Sequence, residues 1–130
     1  MSSQEEIEDK KDNKSELPSI DYTVGVNNVL GDEGLYEEIL LMFYQDHGND
    51  KTKIQNAIEN QDQDQLKHLV HTLKGVATSI GAMVLFDLAK TLDIAVNNEQ
   101  IASYDELFTP LADEMDRVIN GVKQKIAAKL

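Results

Sequence analysis

The chain has 130 residues, of which 41% are hydrophobic, and it contains two prolines, no tryptophan and no cysteine. This length allows one contiguous core and therefore one folded domain. The formal net charge of -12 disfavours nucleic acid and anionic membranes as partners, since a polyanion would be repelled over most of the surface. The lack of cysteine excludes disulfides, thiolate catalysis and cysteine-based zinc sites.

The first part of the chain, residues 1–17, mixes acidic and basic side chains and has almost nothing to bury. We expect this polar leader or linker to be disordered, and residues 18–130 to form the folded domain. No apolar run approaches the length that crosses a bilayer, and the amino terminus lacks the apolar stretch of a signal peptide. The expected location is the cytoplasm, either as a separate protein or as the cytoplasmic end of a membrane-anchored one.

The amino-terminal half of the domain predicts three helical segments. A short helix capped by Asp21 closes near Gly31. The next helix spans residues 32–46, and its predicted buried stripe consists of Leu35, Ile39, Met42 and Phe43. Gly48 marks its end or a bend, and a further segment covers residues 49–60.

The following helix is capped by Asp62 or Asp64 and runs to about Ile80, where Gly81 is predicted to end it as a C-terminal cap. Another helix covers roughly residues 82–97, because apolar side chains there recur at helical spacing.

The last helical segment begins near Ser103. It is predicted to restart or kink at residues 109–110, because proline fits the first turn of a helix and disrupts later turns. Short connections between amphipathic helices favour antiparallel neighbours. We therefore expect an all-α fold, an up-down antiparallel four-helix bundle with one or two accessory N-terminal helices.

The helix that ends near Ile80 carries the candidate site. Its apolar side chains cluster on one side and comprise Leu66, Leu69, Leu73, Val76, Ala77 and Ile80. His71 lies almost opposite this stripe, and Lys67, Lys74 and Gly75 are three or four residues away on the same exposed face. A solvent-exposed imidazole is partly neutral at pH 7, so it offers an unprotonated nitrogen that can attack phosphorus.

The neighbours of His71 suit phosphoryl chemistry. Lys74 can place a positive charge beside the phosphoryl oxygens, and Lys67 offers a weaker version of this help. Gly75 costs about 1 kcal/mol relative to alanine inside a helix. We interpret this glycine as removing the side chain that would overhang His71, so that another protein's backbone can approach.

The segments HTLKG and SIGA, preceded by IDYTVGVNNVLGDEGLYEEILLMF, closely resemble the histidine-containing phosphotransfer domain of multistep two-component phosphorelays. The resemblance spans about residues 19–120. In that family the histidine of the H-x-x-K-G motif accepts the phosphoryl group, so the resemblance implies this role for His71, with Lys74 and Gly75 beside it. It also implies the helical bundle.

One position departs from the pattern that many members show. Family members often carry glutamine or glutamate 22 residues after the phosphorylated histidine, and here Asp93 occupies that position. A hydrogen bond from Nδ1–H of His71 to this carboxylate would fix the tautomer and make Nε2 more nucleophilic.

The expected function is that of a phosphocarrier, which takes a phosphoryl group from the aspartate of one response-regulator receiver domain and passes it to another. Because the chain has no glycine-rich phosphate loop, we expect no ATP binding, no self-phosphorylation and no cofactor of its own. The resemblance implies that the receiver supplies Mg²⁺. The expected partners are receiver domains and a hybrid sensor histidine kinase, with no nucleic acid and no membrane contact, and the chain is expected to be a monomer.

Two other functions stay open: the substrate domain of a chemotaxis-type histidine kinase, and a module that docks receivers without phosphotransfer. A metal site made of His68 and His71 is disfavoured, because zinc needs a third protein ligand and the neighbouring lysines oppose a cation. We interpret His47 and His68 as solvated side chains, and Met42 and Phe43 as core residues.

Overall fold

The computed structural model describes residues 19–129, so the predicted polar leader, residues 1–17, lies outside the described residues. Two short 3-10 turns flank the last helix, at Ile101–Ser103 and Ala127–Lys129. The α-helices in chain order are α1 (Tyr22–Asn27), α2 (Glu33–His47), α3 (Asp50–Glu59), α4 (Gln63–Ser79), α5 (Met83–Asn97) and α6 (Tyr104–Ile126). Within the described range, none of these helices is long and apolar enough to cross a membrane.

Aspartate side chains begin three of the helices. Asp21, Asp32 and Asp62 each accept a hydrogen bond from the backbone N–H three residues later, at 3.0 to 3.1 Å. These bonds satisfy amide groups that have no partner within the helix. The cap predicted at Asp21 is confirmed. Of the two aspartates predicted as alternatives for the cap of α4, Asp62 and Asp64, the structure shows Asp62.

The helices pack as an all-α bundle. Helices α4 and α5 form an antiparallel pair with the most extensive contact, α5 packs on α6, and α3 closes the ring by contacting both α4 and α6. Helix α2 lies against α6, and α1 lies against α2. This arrangement confirms the predicted helical bundle with accessory amino-terminal helices.

The buried face of α2 differs from the prediction. Tyr36, Leu40 and Phe43 are buried, whereas Leu35 and Met42 are 43% and 58% exposed. The two sets are neighbours on the helical wheel, and the packing of α2 against α6 selects the face around Leu40. The prediction that Met42 lies in the core was therefore wrong, while that for Phe43 was right.

Helix α6 continues through Pro110 instead of restarting there. Proline has no N–H, so the carbonyl of Glu106 loses its helical partner. Both residues are exposed, and water can satisfy that carbonyl. The buried side chains on either side, which include Tyr104 and Leu111, hold the helix together across this position.

The junction of α2 and α3 contains a buried histidine–aspartate pair. Nδ1 of His47 lies 2.8 Å from Oδ2 of Asp50, and the His47 side chain is only 18% exposed. Burial raises the pKa of the Asp50 carboxyl, and the hydrogen bond to His47 opposes this shift. The interpretation of His47 as a solvated side chain was therefore wrong.

The amino-terminal segment holds the carboxyl-terminal end of α4. Asn28 Nδ2 donates to the carbonyl of Thr78 at 3.0 Å, and the hydroxyl of Tyr36 donates to the carbonyl of Ile80 at 2.6 Å. Burial raises the pKa of Tyr36 above its usual range, so the hydroxyl keeps its proton and remains a donor. The bond from Tyr36 satisfies a carbonyl that the end of the helix leaves without a partner, and the bond from Asn28 adds to the one that Thr78 accepts from the N–H of Gly81.

Candidate functional site

Helix α4 presents His71 to solvent at its midpoint. The buried face of the helix consists of Leu66, Leu69, Val70, Leu73 and Ala77, while Val76 is half-buried. The side chain of His71, on the opposite side, is 71% exposed. The predicted orientation of this histidine is confirmed, and it follows from the 3.6-residue period of the apolar stripe.

An ion pair joins the site helix to its neighbour α5. Nζ of Lys74 donates to Oδ2 of Asp93 at 3.0 Å. The Asp93 side chain is only 6% exposed and that of Lys74 is 27% exposed. Transfer of the ammonium and the carboxylate from water into the protein costs solvation free energy. The attraction between the two opposite charges offsets this cost.

The imidazole of His71 lies just outside hydrogen-bond distance of the same carboxylate. Its Nδ1 is 3.8 Å from Oδ2 of Asp93, which exceeds the range of a hydrogen bond. The expected hydrogen bond from His71 to Asp93 is therefore not formed in this structure, in which Oδ2 of Asp93 accepts a hydrogen bond from Lys74. The other oxygen, Oδ1 of Asp93, is buried and has no hydrogen-bond partner among residues 19–129.

An open cavity of about 440 Å³ borders the histidine on the amino-terminal side of α4. Its lining consists of Asp64, Lys67, His68, His71, Asp93 and Asn97. Lys67 is exposed and is the lysine of this lining, whereas Lys74 lies one turn beyond His71. The two candidate lysines therefore flank the imidazole from opposite directions along the helix.

Asn97 is a site residue that the sequence analysis did not single out. It lies four residues after Asp93, so both side chains project from the same face of α5 towards α4. The sequence did contain a signal for Asn97: its spacing of four residues from Asp93, which the family pattern had already placed near His71. An amide at this position can donate hydrogen bonds to an anionic group on the imidazole.

The two glycines named with the site have different environments. A Cβ built on Gly75 would meet nothing within 4 Å, so no packing within the described chain requires glycine there. Gly81 has a φ of +80° and lies at the end of α4, where its N–H bonds to the carbonyl of Thr78. The C-terminal cap predicted at Gly81 is confirmed, and this residue lies away from the imidazole.

The assembled groups suit the transfer of an anionic group to a ring nitrogen. An exposed imidazole supplies the nucleophile, and Lys67 and Lys74 supply positive charge on its two sides. Asp93 supplies a buried negative charge next to Nδ1. Among residues 19–129, no group of three or more histidine and acidic side chains has the geometry to hold a metal ion.

Comparisons with known proteins point to one family. A family model described as Hpt domain matches residues 38–121. Among solved structures, the HPT domain from an Hpt sensor hybrid histidine kinase of Shewanella has a similar fold, with a TM-score of 0.80 and 21% sequence identity. The alignment covers 87% of this chain and 97% of that domain. No curated protein matches the chain.

Proposed function

The chain belongs to the histidine-containing phosphotransfer (Hpt) domain family, and from this premise we propose that it carries phosphoryl groups between two receiver domains. His71 accepts the group from the aspartate of one response-regulator receiver and passes it to the aspartate of another. Hpt domains are phosphocarriers rather than classical enzymes, and they work with receiver domains and histidine kinases in phosphorelays. The proposal includes a monomeric, cytoplasmic protein with no cofactor of its own.

The exposure of His71 is the observation that carries the proposal. Its side chain is 71% exposed, against 18% for His47, so a large partner can reach the ring nitrogen. His68 is exposed as well, but it is not three residues before a lysine. Of the three histidines, His71 alone combines access with a cation one turn later and an open glycine beside it.

The transfer needs little from this chain beyond an oriented nucleophile. The lone pair on Nε2 of His71 attacks phosphorus, the bond between phosphorus and the aspartate oxygen breaks, and the carboxylate leaves with that electron pair. Lysine ammonium groups beside the ring stabilise the phosphoryl oxygens. The receiver supplies Mg²⁺ and the remaining catalytic groups.

A receiver can dock beside the histidine because the adjacent surface is open and partly apolar. No atom of the described residues lies within 4 Å of where a Cβ of residue 75 would be, and Met83 and Val84 in the first turn of α5 are exposed. On the other side of α4, a groove of about 230 Å³ is lined by Ile39, Met42, Phe43, Asp46, His47, Val76, Ser79 and Ile80. Burial of such apolar surface against a partner is favourable.

The test is incubation with a receiver domain whose aspartate carries a radioactive phosphoryl group. We expect an acid-labile, base-stable label on the wild-type chain and on His68→Gln, and none on His71→Gln. Circular dichroism of the three proteins should be the same, because both histidines are exposed. A label that persists on His71→Gln would contradict the proposal, and labelling only from ATP and a kinase domain would favour the chemotaxis-type function.

A further inference from the structure

Asp93 is a buried carboxylate with an incomplete set of partners. Lys74 occupies Oδ2, while Oδ1 is buried without a hydrogen-bond partner among the described residues. Nearly all buried polar atoms in folded proteins are hydrogen-bonded, so an unsatisfied one calls for an explanation. The carboxylate therefore has capacity for a further donor, and the imidazole of His71 lies near it, with Nδ1 at 3.8 Å from Oδ2, the oxygen that accepts from Lys74.

The positions of the two candidate cations suggest a change of partner. Contraction of the distance from Nδ1 of His71 to Oδ2 by about 1 Å would form a normal hydrogen bond. Lys74 has a flexible four-carbon stem and a side chain that is partly exposed, so its ammonium can leave Asp93 towards solvent. Loss of one partner leaves a buried carboxylate with an uncompensated charge, which is strongly destabilising, so a second cation is favoured in its place.

The chemistry of transfer creates that second cation. When the lone pair on Nε2 of His71 attacks phosphorus, the proton on Nδ1 remains, so the ring becomes positively charged as the new nitrogen–phosphorus bond forms. The phosphoryl group, at the same time, brings negative oxygens to the exposed side of the ring. The new positive charge lies beside Asp93, and the new negative charge lies within reach of a released lysine.

On the basis of the proposed function, we propose that Asp93 is a positioning residue that exchanges partners when His71 is phosphorylated. Before transfer its carboxylate binds Lys74. After transfer it accepts a hydrogen bond from Nδ1–H of His71, and the released ammonium of Lys74 pairs with the phosphoryl oxygens. The carboxylate of Asp93 is then paired with a cation both before and after phosphorylation of His71. The ammonium of Lys74 becomes available to the phosphoryl group only when that group is present.

The exchange can be tested without a receiver, by phosphorylating the uniformly ¹⁵N-labelled chain with phosphoramidate, a small-molecule phosphoryl donor. Nuclear magnetic resonance of the ring nitrogens then reports the state of His71. In the wild-type chain we expect the Nδ1 proton to exchange with water at least tenfold more slowly after phosphorylation, the effect of about one charge-assisted hydrogen bond. The ammonium resonance of Lys74 should shift at the same time.

Two variants test the exchange from its two sides. Asp93→Asn should lose most of the protection of the Nδ1 proton in the phosphorylated state, and its phosphohistidine should hydrolyse roughly tenfold faster. Lys74→Met removes the resting partner, so the carboxylate should bind Nδ1–H before any phosphorylation and already show the slow exchange. Asp87→Asn, an exposed aspartate on the same helix, is the control and should behave like the wild type.

The outcomes separate this proposal from the proposed function. A ring signal that is the same in wild type and Lys74→Met, or a phosphorylated ring that is insensitive to Asp93→Asn, would overturn the exchange while leaving the phosphocarrier function intact. Labelling of His71 by phosphoramidate but by no receiver would contradict the phosphocarrier function alone. If neither donor labels His71, both proposals fail.

Discussion

The middle and the end of helix α4 are built in opposite ways. At the end, the carbonyls of Thr78, Ile80 and Gly81 all accept hydrogen bonds from the amino-terminal segment. In the middle, a Cβ on Gly75 would meet nothing within 4 Å among the described residues, and Nδ1 of His71 lies 3.8 Å from the carboxylate of Asp93. We call residues 78–81 the anchored end and residues 71–75 the open turn.

The difference indicates how the molecule divides stability and function. The anchored end fixes the direction of α4 by bonds to α1 and α2, and Leu73 and Lys74 hold the middle of the helix by packing and pairing inward. The exposed residues of the open turn, His71 and Gly75, therefore do not have to hold the helix in place. The ring nitrogens of His71 can then stay without a hydrogen bond to other residues in the range 19–129, so that a partner or a phosphoryl group can use them. Substitutions in the two regions should therefore affect different measurements.

The largest effect is expected for Gly81→Ala in the anchored end. Alanine at a φ of +80° is strained, and its Cβ would collide with the backbone carbonyl of Asp21. We expect a loss of about 3 kcal/mol in the free energy of unfolding, of which the left-handed backbone accounts for roughly 1–2 kcal/mol. Urea denaturation followed by circular dichroism measures this loss.

Gly31→Ala is the matched control for that substitution. Gly31 has a φ of +82°, but within the part of the chain that the structure describes a Cβ there would meet nothing within 4 Å. This variant should therefore lose only the backbone contribution, about 1 kcal/mol. Equal losses for Gly31→Ala and Gly81→Ala would mean that the close approach to Asp21 does not contribute to the anchored end.

Two histidine–aspartate pairs extend the comparison beyond α4. His47 makes a short bond to buried Asp50, whereas His71 is exposed and does not bond to Asp93. His47→Ala should cost about 2 kcal/mol of unfolding free energy, because it leaves a buried carboxylate without its partner. His71→Ala should cost less than about 0.5 kcal/mol, as expected at an exposed position.

The loss in His47→Ala should depend on pH. Burial already raises the pKa of Asp50, and removal of His47 takes away an influence that lowers it. From about pH 4 upward the unfolded chain releases this proton before the folded chain does, so this group contributes less stability as pH rises. The difference between wild type and His47→Ala should therefore grow between pH 4 and neutrality, and a constant difference would contradict the role of Asp50.

A smaller effect is expected for Tyr36→Phe. The variant removes the hydroxyl that donates to the carbonyl of Ile80 at 2.6 Å and leaves that buried carbonyl without this partner. We expect a loss of about 1–2 kcal/mol and faster hydrogen exchange of amides in the last turn of α4. Transfer from a receiver should stay within about twofold of wild type, since one hydrogen bond at the anchored end does not touch the ring.

Tyr44→Phe is the control for this experiment, because Tyr44 lies on the same helix and is half-buried. Its hydroxyl has no hydrogen bond to another side chain or carbonyl in the range 19–129, so its removal should change stability by less than about 0.5 kcal/mol. A transfer rate that falls as much as stability in Tyr36→Phe would show that the anchored end and the open turn are not independent.

The sequence was sufficient to predict those structural features that depend on one local rule, such as a helix cap or the period of an apolar stripe. The aspartate caps at Asp21 and Asp62 and the glycine cap at Gly81 were predictable because each involves only neighbouring backbone groups. The exposure of His71 was predictable because the apolar stripe of α4 is regular. These features also define the helical bundle and the position of the candidate site in it.

Features that depend on packing between helices were not predictable in the same way. The buried face of α2 shifted from Leu35 and Met42 to their neighbours because α6 contacts the adjacent side of the helix. The choice of Asp93 between Lys74 and His71 depends on differences of less than 1 Å across two helices. Sequence spacing brings all three groups together but does not determine which two of them bond.

The smallest effect, and the one of opposite sign, is expected for Gly75→Ala in the open turn. Alanine is favoured over glycine inside a helix, and its Cβ would meet no atom of residues 19–129 within 4 Å. The free energy of unfolding should therefore rise by about 0.5–1 kcal/mol. Transfer from a phosphorylated receiver should nevertheless slow, because the new methyl group lies where the partner must approach His71.

Gly34→Ala separates these two consequences, since Gly34 is also exposed and helical but lies in the first turn of α2. A Cβ there would make only an ordinary contact, 3.5 Å from a carboxylate oxygen of Asp32. This control should not slow transfer, whatever its small effect on stability. If Gly75→Ala is more stable and transfers at the wild-type rate, access to His71 does not explain why glycine occupies position 75. The proposed docking of a receiver against this turn would then be contradicted as well.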